Sequence, residues 1–199
     1  TPLYSSAASD VYKRQAVAFT DDGTTVPDDR IMRAIMGKAA ALGAIVMDHA
    51  LDPAIAGNGV MREGACSRDM GLPGIPVAAE VDTVARDIEL VEDTGCHIHV
   101  QHLSAAESVE VIREAKESGL PVSCEVTPHH LAFSDANVRP DLTSLKVNPP
   151  LGTSEDCLAL TKAVIDGTIE AFATDHAPHT QEEKARGFVR APFGAIGLE

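Results

Sequence analysis

Short apolar runs alternate along the chain, from residue 16 onward, with longer stretches in which apolar residues recur at helical spacing. The runs predict five strands, at AVAFTDDG, AIVMDHA, CHIHVQHLS, PVSCEVTPHHL and the apolar segment that ends at Asp175. The longer stretches predict helices over residues 28–42, 77–94, 105–118 and 155–166. The Gly- and Pro-rich segment between the second strand and Pro76 is predicted to be a long loop.

Strands that alternate with helices of roughly 10–15 residues indicate βαβ units, and therefore an α/β fold with a parallel sheet. Apolar stretches without alternation, such as AIVM and IEAFA, fit strands that are covered on both faces. Residues 16–199 are thus predicted to form one domain. Residues 1–15 show no periodicity, and SSAASDVYKRQ resembles a translated sequencing adaptor, so we expect a non-native or disordered tail there.

Charge and cysteine content narrow the classes of function. Lys and Arg number 16 against 30 Asp and Glu, which gives a net charge of −14. That charge argues against nucleic acid or an anionic membrane surface as the main partner and leaves a small-molecule substrate as the expectation. The four cysteines lie far apart and form no CxxC pair, which favours free thiols of a cytoplasmic protein over a disulfide framework.

Polar side chains follow the predicted strands at the point where each strand ends. In chain order they are Asp21-Asp22, Asp48-His49, Gln101-His102, Glu125 with His129-His130, and Asp175. In an α/β barrel the carboxyl ends of the strands converge on one face, where catalytic sites lie. Imidazole nitrogens and carboxylate oxygens suit Zn²⁺ or a similar divalent ion. A single histidine at a strand end is more often a hydrogen-bonded structural residue, but recurrence at successive strands favours a metal site.

The other polar residues are assigned lesser roles. Supporting or structural roles are predicted for the remaining histidines of these strands and loops: His97, His99, His129, His130 and His176. Arg62 and Lys146 could meet substrate carboxylates, but exposed positions are expected for both. Asp21 is predicted to support Asp22, and the spacing leaves open which of the two aspartates binds metal.

Seven motifs occur in a fixed order along the chain: TDDG, MDHALD, VQHLS, EVTPHH, KVNPPL, TDHAPH and APFG. This series resembles the dihydroorotases of the amidohydrolase superfamily, in their class I bacterial type, and the resemblance covers Ala16 to Glu199. Each motif alone is moderately specific for the family, whereas the whole series in this order is strong evidence for the resemblance. The resemblance implies a metal-dependent (β/α)8 barrel, so the expected fold is a partial TIM barrel with about five parallel strands present.

The resemblance also implies an activity and a set of site residues. Dihydroorotases interconvert N-carbamoyl-L-aspartate and L-dihydroorotate in de novo pyrimidine biosynthesis, through a hydroxide activated by two zinc ions. By position, Asp22, His49 and His102 resemble metal ligands, with Asp22 as the bridging carboxylate. Asp175 resembles a metal ligand that is also the catalytic proton shuttle. The family's substrate-binding positions correspond to Asn148, His179, Phe193 and Gly194.

The chain departs from the family pattern at the first metal. Family members carry a His-x-His pair on an early strand, with an Arg and an Asn nearby that bind substrate, and no corresponding residues occur here. The one His-x-His pair, His97 and His99, lies on a later strand. We therefore expect a fragment that lacks the N-terminal strands and the C-terminal end and is inactive by itself. The site of Asp22, His49 and His102 should hold metal better than the other site.

Three alternative readings are open. Dihydropyrimidinases and allantoinases belong to the same superfamily, but they usually bridge their metals with a carboxylated lysine where Asp22 stands here. A non-catalytic dihydroorotase-like subunit that scaffolds aspartate transcarbamoylase would have lost ligands, whereas each ligand position within this chain is filled. A truncated product with no function of its own is the third reading. For the complete protein, a homodimer and an association with aspartate transcarbamoylase are both open.

Overall fold

The computed structural model describes residues 17–198, so the tail predicted for residues 1–15 lies outside the described residues. Within that range the strands are β1 (Ala18–Thr20), β2 (Ile45–Asp48), β3 (Met61–Arg62), β4 (Gly74–Ile75), β5 (His97–Val100), β6 (Val122–Val126) and β7 (Ala171–Phe172). Five of them form one sheet in the order β1-β2-β5-β6-β7, and every neighbouring pair is parallel. The predicted parallel α/β sheet is confirmed.

Helices connect these strands. They are α1 (Asp29–Leu42), α2 (Pro53–Ala56), α3 (Ala65–Met70), α4 (Ala78–Thr94), α5 (Ala106–Glu117), α6 (Pro128–Ala132), α7 (Ser154–Asp166) and α8 (Gln181–Lys184). The predicted helices correspond to α1, α4, α5 and α7, and strong local signals mark the ends of some of them. At α1, for example, the Asp28 carboxylate accepts hydrogen bonds from two backbone N–H groups, and Gly43 ends the helix with a φ of 62°. No helix within residues 17–198 is long and apolar enough to cross a membrane.

The segment between β2 and α4 is more ordered than the predicted long loop. It contains α2 and α3, and β3 and β4 pair in parallel as a separate two-stranded sheet. Two glycines make this approach possible: a Cβ on Gly59 would lie 2.6 Å from the carbonyl oxygen of Gly74, and a Cβ on Gly74 would lie 2.7 Å from Cα of Glu63. Strands of two residues are too short to show a period, which is why the sequence pattern missed them.

The hydrophobic core lies between the sheet and its helices. Ile98 and Val100 of β5 are fully buried, and Cys124 of β6 extends the same cluster. Val109 and Ile112 of α5 pack into this cluster and are also fully buried. Burial of each such side chain stabilises the fold by about 1.5–3 kcal/mol relative to exposure. This core fixes the strand ends, and therefore the polar residues that follow them.

The alternate positions of the same strands are less covered than predicted. Met47 on β2 and His97 and His99 on β5 are half-buried, while their neighbours along each strand are buried. The expectation that both faces of the strands are covered therefore holds for one face only. The sheet edges are also open, since Phe19 on β1 is 49% exposed and Phe172 on β7 is 64% exposed. Unpaired edge strands with exposed apolar side chains promote association.

We predict that the isolated chain self-associates through these edges. Phe19→Lys and Phe172→Lys should each shift sedimentation toward monomer, because a charge on an edge strand opposes strand addition. Leu158→Lys is the matched control, since Leu158 is 62% exposed but lies on α7, and it should leave association unchanged. A wild-type chain that is monomeric at all concentrations and unfolds sharply would contradict this prediction.

Candidate metal centre

Three predicted ligands meet at the carboxyl edge of the sheet. Asp22 follows β1, His49 follows β2 and His102 follows β5, and one potential ligand atom from each lies within 4.8 Å of the others. His49 Nδ1 is 2.9 Å from His102 Nε2. Both histidines are 3% exposed, whereas Asp22 is exposed. Parallel pairing of β1 with β2 and of β2 with β5 produces this convergence, because strand ends in register lie side by side.

The neighbouring aspartate, Asp21, does not join this cluster. It lines a separate cavity of about 320 Å³ between β1 and α1, together with Phe19 and Met32. The Asp22 carboxylate, in contrast, accepts a hydrogen bond of 2.8 Å from the backbone N–H of Gly23. Of the two aspartates left open by the sequence, the structure brings Asp22 to the histidines.

The electrostatics of the two imidazoles suit metal ligation. Burial, and to a smaller extent the neighbouring His49, lowers the pKa of His102 to about 3. Burial also lowers the pKa of His49, although the charges of Asp22 and Asp48 act in the opposite direction. Metal binds the neutral form of imidazole, and both rings hold that form at neutral pH. Two neutral imidazoles and a carboxylate make a donor set that fits a borderline-soft divalent ion.

A cleft of about 340 Å³ opens beside the three ligands. It is lined by Asp22, Gly23, His49, His102, Asn148, Asp175, Ala177, Phe193 and Gly194. Seven of the eight site residues expected from the sequence thus share one cavity. The eighth, His179, is not a lining residue, but its Nε2 lies 2.8 Å from the carbonyl oxygen of Phe193. His179 therefore contacts the loop that carries Phe193 and Gly194.

Asp175 combines a raised pKa with a strained backbone. Burial raises the pKa of its carboxyl, and the negative charges of Asp22 and Glu125 raise it further. Asp175 has a φ of 45° and His102 a φ of 32°, and within residues 17–198 these are the two non-glycine residues with positive φ. Such conformations cost about 1–3 kcal/mol each and concentrate at functional sites. Both strained residues are among those that the sequence assigned to the site.

Two basic residues contradict their predicted exposure, since Arg62 and Lys146 are each only 3% exposed. Arg62 lies in the short strand β3, and its Nη2 donates to the backbone oxygen of Ser104 at 3.0 Å and to Ser104 Oγ at 2.9 Å. Lys146 Nζ donates to the carbonyl oxygens of Val189 and Ala191, at 3.0 and 2.7 Å. Both cations are buried because backbone and hydroxyl oxygens replace their hydration.

Glu80 is a buried residue that the sequence reasoning did not single out. Its Oε1 accepts from the backbone N–H groups of Ser104 and Ala105 at 3.1 Å each, and its Oε2 accepts from Ser104 Oγ. These bonds hold the segment that follows strained His102. A signal existed in the helical pattern, because Glu80 shares the buried stripe of α4 with Val84 and Val91.

The remaining histidines have structural partners within the described chain. His97 Nε2 and His99 Nδ1 both lie within hydrogen-bond distance of Ser123 Oγ, at 2.9 and 2.8 Å. His130 Nε2 lies 3.0 Å from the carbonyl oxygen of Pro149, and His176 Nδ1 accepts from the backbone N–H of Gly197. His129 is buried against the His130 ring, and its Nε2 has no hydrogen-bond partner among the described residues. The supporting roles of these histidines stay a prediction.

Several solved structures that are similar to this fold are hydantoinases or dihydroorotases by name. The L-hydantoinase (dihydropyrimidinase) from Arthrobacter aurescens superposes with a TM-score of 0.76 at 25% identity, over 92% of this chain and 42% of that one. The D-hydantoinase from Bacillus sp. AR9 gives 0.75 at 27% identity. The dihydroorotase from Saccharomyces cerevisiae, at 18% identity, shares the fold with a TM-score of 0.73. The fold and the ligand cluster together define part of a TIM-barrel amidohydrolase.

Sequence relatives narrow that class to one family. A profile of the Dihydro-orotase-like family matches residues 6–108. The dihydroorotase of Anoxybacillus flavithermus is 48% identical over 184 residues, and one from Staphylococcus epidermidis is 47% identical over 182. The chain belongs to the dihydroorotase-like family. The aligned region covers 92% of this chain but only 43% of each of these relatives.

We predict that the chain binds about one Zn²⁺ ion through Asp22 and not through Asp21. Asp22→Asn should weaken Zn²⁺ binding by more than about tenfold, because a carboxylate ligand is replaced by a neutral amide. Asp21→Asn is the matched control, one residue away, and should leave affinity within about twofold. Competition with a chromophoric chelator measures both. Equal losses in the two variants, or two tightly bound ions per chain, would be the contrary results.

We predict a weak pH dependence of this binding between pH 8 and pH 6. Two exposed imidazoles with an ordinary pKa of 6.5 would lose about 15-fold in affinity over this range, because protons compete for the ligand nitrogens. Burial lowers the pKa of His102 to about 3 and lowers that of His49 below its ordinary value. Only His49 can then take up protons in this range, so the expected loss is under about fourfold. The Zn²⁺ affinity at each pH is measured by chelator competition, corrected for the titration of the chelator itself. A loss of affinity of tenfold or more would show that the imidazoles titrate as exposed groups.

Proposed function

We propose that the complete protein is a dihydroorotase, which interconverts N-carbamoyl-L-aspartate and L-dihydroorotate in pyrimidine biosynthesis. The observation that carries this proposal is the cleft in which Asp22, His49 and His102 lie beside Asp175. Identity of 45–48% to dihydroorotases supports the same substrate. We further infer that Zn²⁺ is the metal and that the enzyme acts in the cytoplasm on a small-molecule substrate, with neither nucleic acid nor a membrane as its partner.

The residues of the cleft have different roles in the opening of the dihydroorotate ring. The chemistry that bound zinc supplies is Lewis acidity, which lowers the pKa of water and polarises a carbonyl group. Asp175 is suited to proton transfer, because its raised pKa makes the carboxylate a better proton acceptor. It would accept a proton from the attacking water and deliver it to the ring nitrogen as the C–N bond breaks. In the opposite direction, Asp175 would take the proton from the carbamoyl nitrogen as the C–N bond forms and pass it to the carboxyl oxygen, which leaves as water when its C–O bond breaks.

The other cleft residues orient the substrate. Asn148 and the Phe193-Gly194 backbone line the same cavity. Their relative position is fixed by Lys146, whose carbonyl oxygen accepts from the Gly194 N–H at 2.8 Å and whose Nζ binds the loop at Val189 and Ala191. Pre-set positions of this kind lower the entropic part of the barrier. We infer that the Lys146 contacts keep the two substrate-binding elements in register.

A domain chimera tests the proposal with this chain's own residues. Residues 17–198 would replace the matching region of the Anoxybacillus flavithermus dihydroorotase, which is 48% identical. We expect hydrolysis of dihydroorotate and no turnover of dihydrouracil, hydantoin or allantoin. Asp175→Asn should lower kcat by about 10²–10⁴-fold, as loss of a general acid–base does. Glu182→Gln, at an exposed position on α8, should leave kcat within about twofold.

Each failure of the chimera has its own meaning. Preference for dihydrouracil or hydantoin would replace the proposal with a dihydropyrimidinase, the function named for several structures of the same fold. A folded, metal-loaded chimera that turns over none of these compounds would favour the non-catalytic scaffold. The 199-residue chain by itself is expected to be inactive.

A further inference from the structure

Asn148 lies against a metal ligand as well as in the substrate cleft. Its Nδ2 is 3.1 Å from His49 Nε2. The other nitrogen of the same ring, Nδ1, is the one that lies 2.9 Å from His102 Nε2. Both ring nitrogens of His49 are therefore engaged, one by the cluster and one by the amide.

The position of Asn148 is fixed by its chain neighbours. Val147 before it is 2% exposed and packs into a hydrophobic cluster with Leu151 and Phe188. The carbonyl of Pro149 after it lies 3.0 Å from buried His130 Nε2. A side chain between two anchored residues loses little entropy when it holds its contact, so the amide can impose an orientation on the imidazole.

A neutral imidazole carries one N–H and one lone pair, and the partner of one nitrogen decides which nitrogen has the proton. With the Asn148 Nδ2 group facing Nε2, His49 accepts there and its proton resides on Nδ1. Ligation through Nδ1 requires the opposite tautomer, with the proton on Nε2. A half-turn of the amide places Oδ1 against Nε2–H and provides that acceptor, since an asparagine amide has a donor and an acceptor at its tip.

We propose that Asn148 is a positioning residue of the metal centre: its amide oxygen accepts the Nε2–H bond of His49 and so selects the tautomer whose Nδ1 binds a divalent cation. This inference rests on the proposed metal-dependent function and adds a second role to a residue expected to bind substrate. It also couples the two roles, because the same amide contacts the cleft. Partners that fix a ligand imidazole change metal affinity by about 10–100-fold when they are removed.

Two variants of the 199-residue chain test this role through Zn²⁺ affinity, measured by chelator competition. Asn148→Leu removes the acceptor at similar size and should weaken binding by about 10–100-fold. Asn148→Asp keeps two acceptor oxygens and should bind at least as tightly as the wild type. Gln181→Glu adds one negative charge at an exposed position on α8 and should change affinity less than about twofold. Wild-type affinity in Asn148→Leu would overturn the proposal, as would an equal loss in Asn148→Asp.

The tautomer of the His49 ring gives a second readout. Neither an added charge nor a loss of stability in a variant would produce the same result. In the Zn²⁺-loaded wild-type chain, two-bond ¹H–¹⁵N NMR correlations of the His49 ring should report a proton on Nε2, and Asn148→Asp should report the same. A proton on Nδ1 in the loaded chain would overturn the proposal even if Asn148→Leu failed to fold. A wild-type chain that binds no Zn²⁺ would overturn the centre and this role together. An inactive chimera that binds metal with the predicted order of affinities would overturn only the dihydroorotase assignment.

Discussion

Two imidazole rings buried in contact at the carboxyl edge of the sheet are the constraint on which the site depends. The rings of His49 and His102 meet edge to face, with centroids 4.6 Å apart, and each residue is 3% exposed. A buried polar group that lacks a partner costs about 1–3 kcal/mol. The fold meets this constraint by engaging the inner nitrogens with each other and the outer nitrogen of His49 with Asn148. The outer nitrogen of His102 has no partner among the described residues.

The backbone around these rings is held in conformations that it would not adopt alone. The positive φ of His102 persists because the segment after it is held in place. Glu80 accepts hydrogen bonds from the backbone N–H groups of Ser104 and Ala105, and Arg62 donates to Ser104. On the far side of the cleft, Lys146 holds the loop of Phe193 and Gly194. These hydrogen bonds tie the backbone on both sides of the cleft to buried side chains. A cleft with a precise shape is therefore compatible with a chain whose sheet edges are open.

Much of the fold could be predicted from the sequence because its signals are local. The helix α1 begins at an aspartate cap and ends at a glycine, and its apolar residues repeat at helical spacing. The location of the site could be predicted because parallel strands bring their carboxyl ends together, whereas the choice of Asp22, His49 and His102 among the polar residues there came from the family resemblance. The family motifs then supplied roles that spacing alone cannot give.

The contacts that depend on tertiary structure could not be predicted. Lys146 looked like a surface lysine, because no local pattern reveals that the carbonyl groups of Val189 and Ala191 will surround it. The pairing of β3 with β4 joins strands of two residues each, too short for any period. The contact of Asn148 with His49 spans 99 positions of sequence. Such contacts depend on the whole fold, and no local sequence pattern indicates them.

The identity of the metal ligands is the central claim, and X-ray absorption at the zinc edge of the chain loaded with one equivalent of Zn²⁺ tests it most directly. The four cysteines are free and offer a competing set of ligands. We predict a shell of nitrogen and oxygen atoms at about 2.0–2.1 Å with the multiple-scattering signature of two imidazoles, and with one imidazole lost in His49→Ala. Sulfur at about 2.3 Å, or a shell that His49→Ala leaves unchanged, would contradict the account.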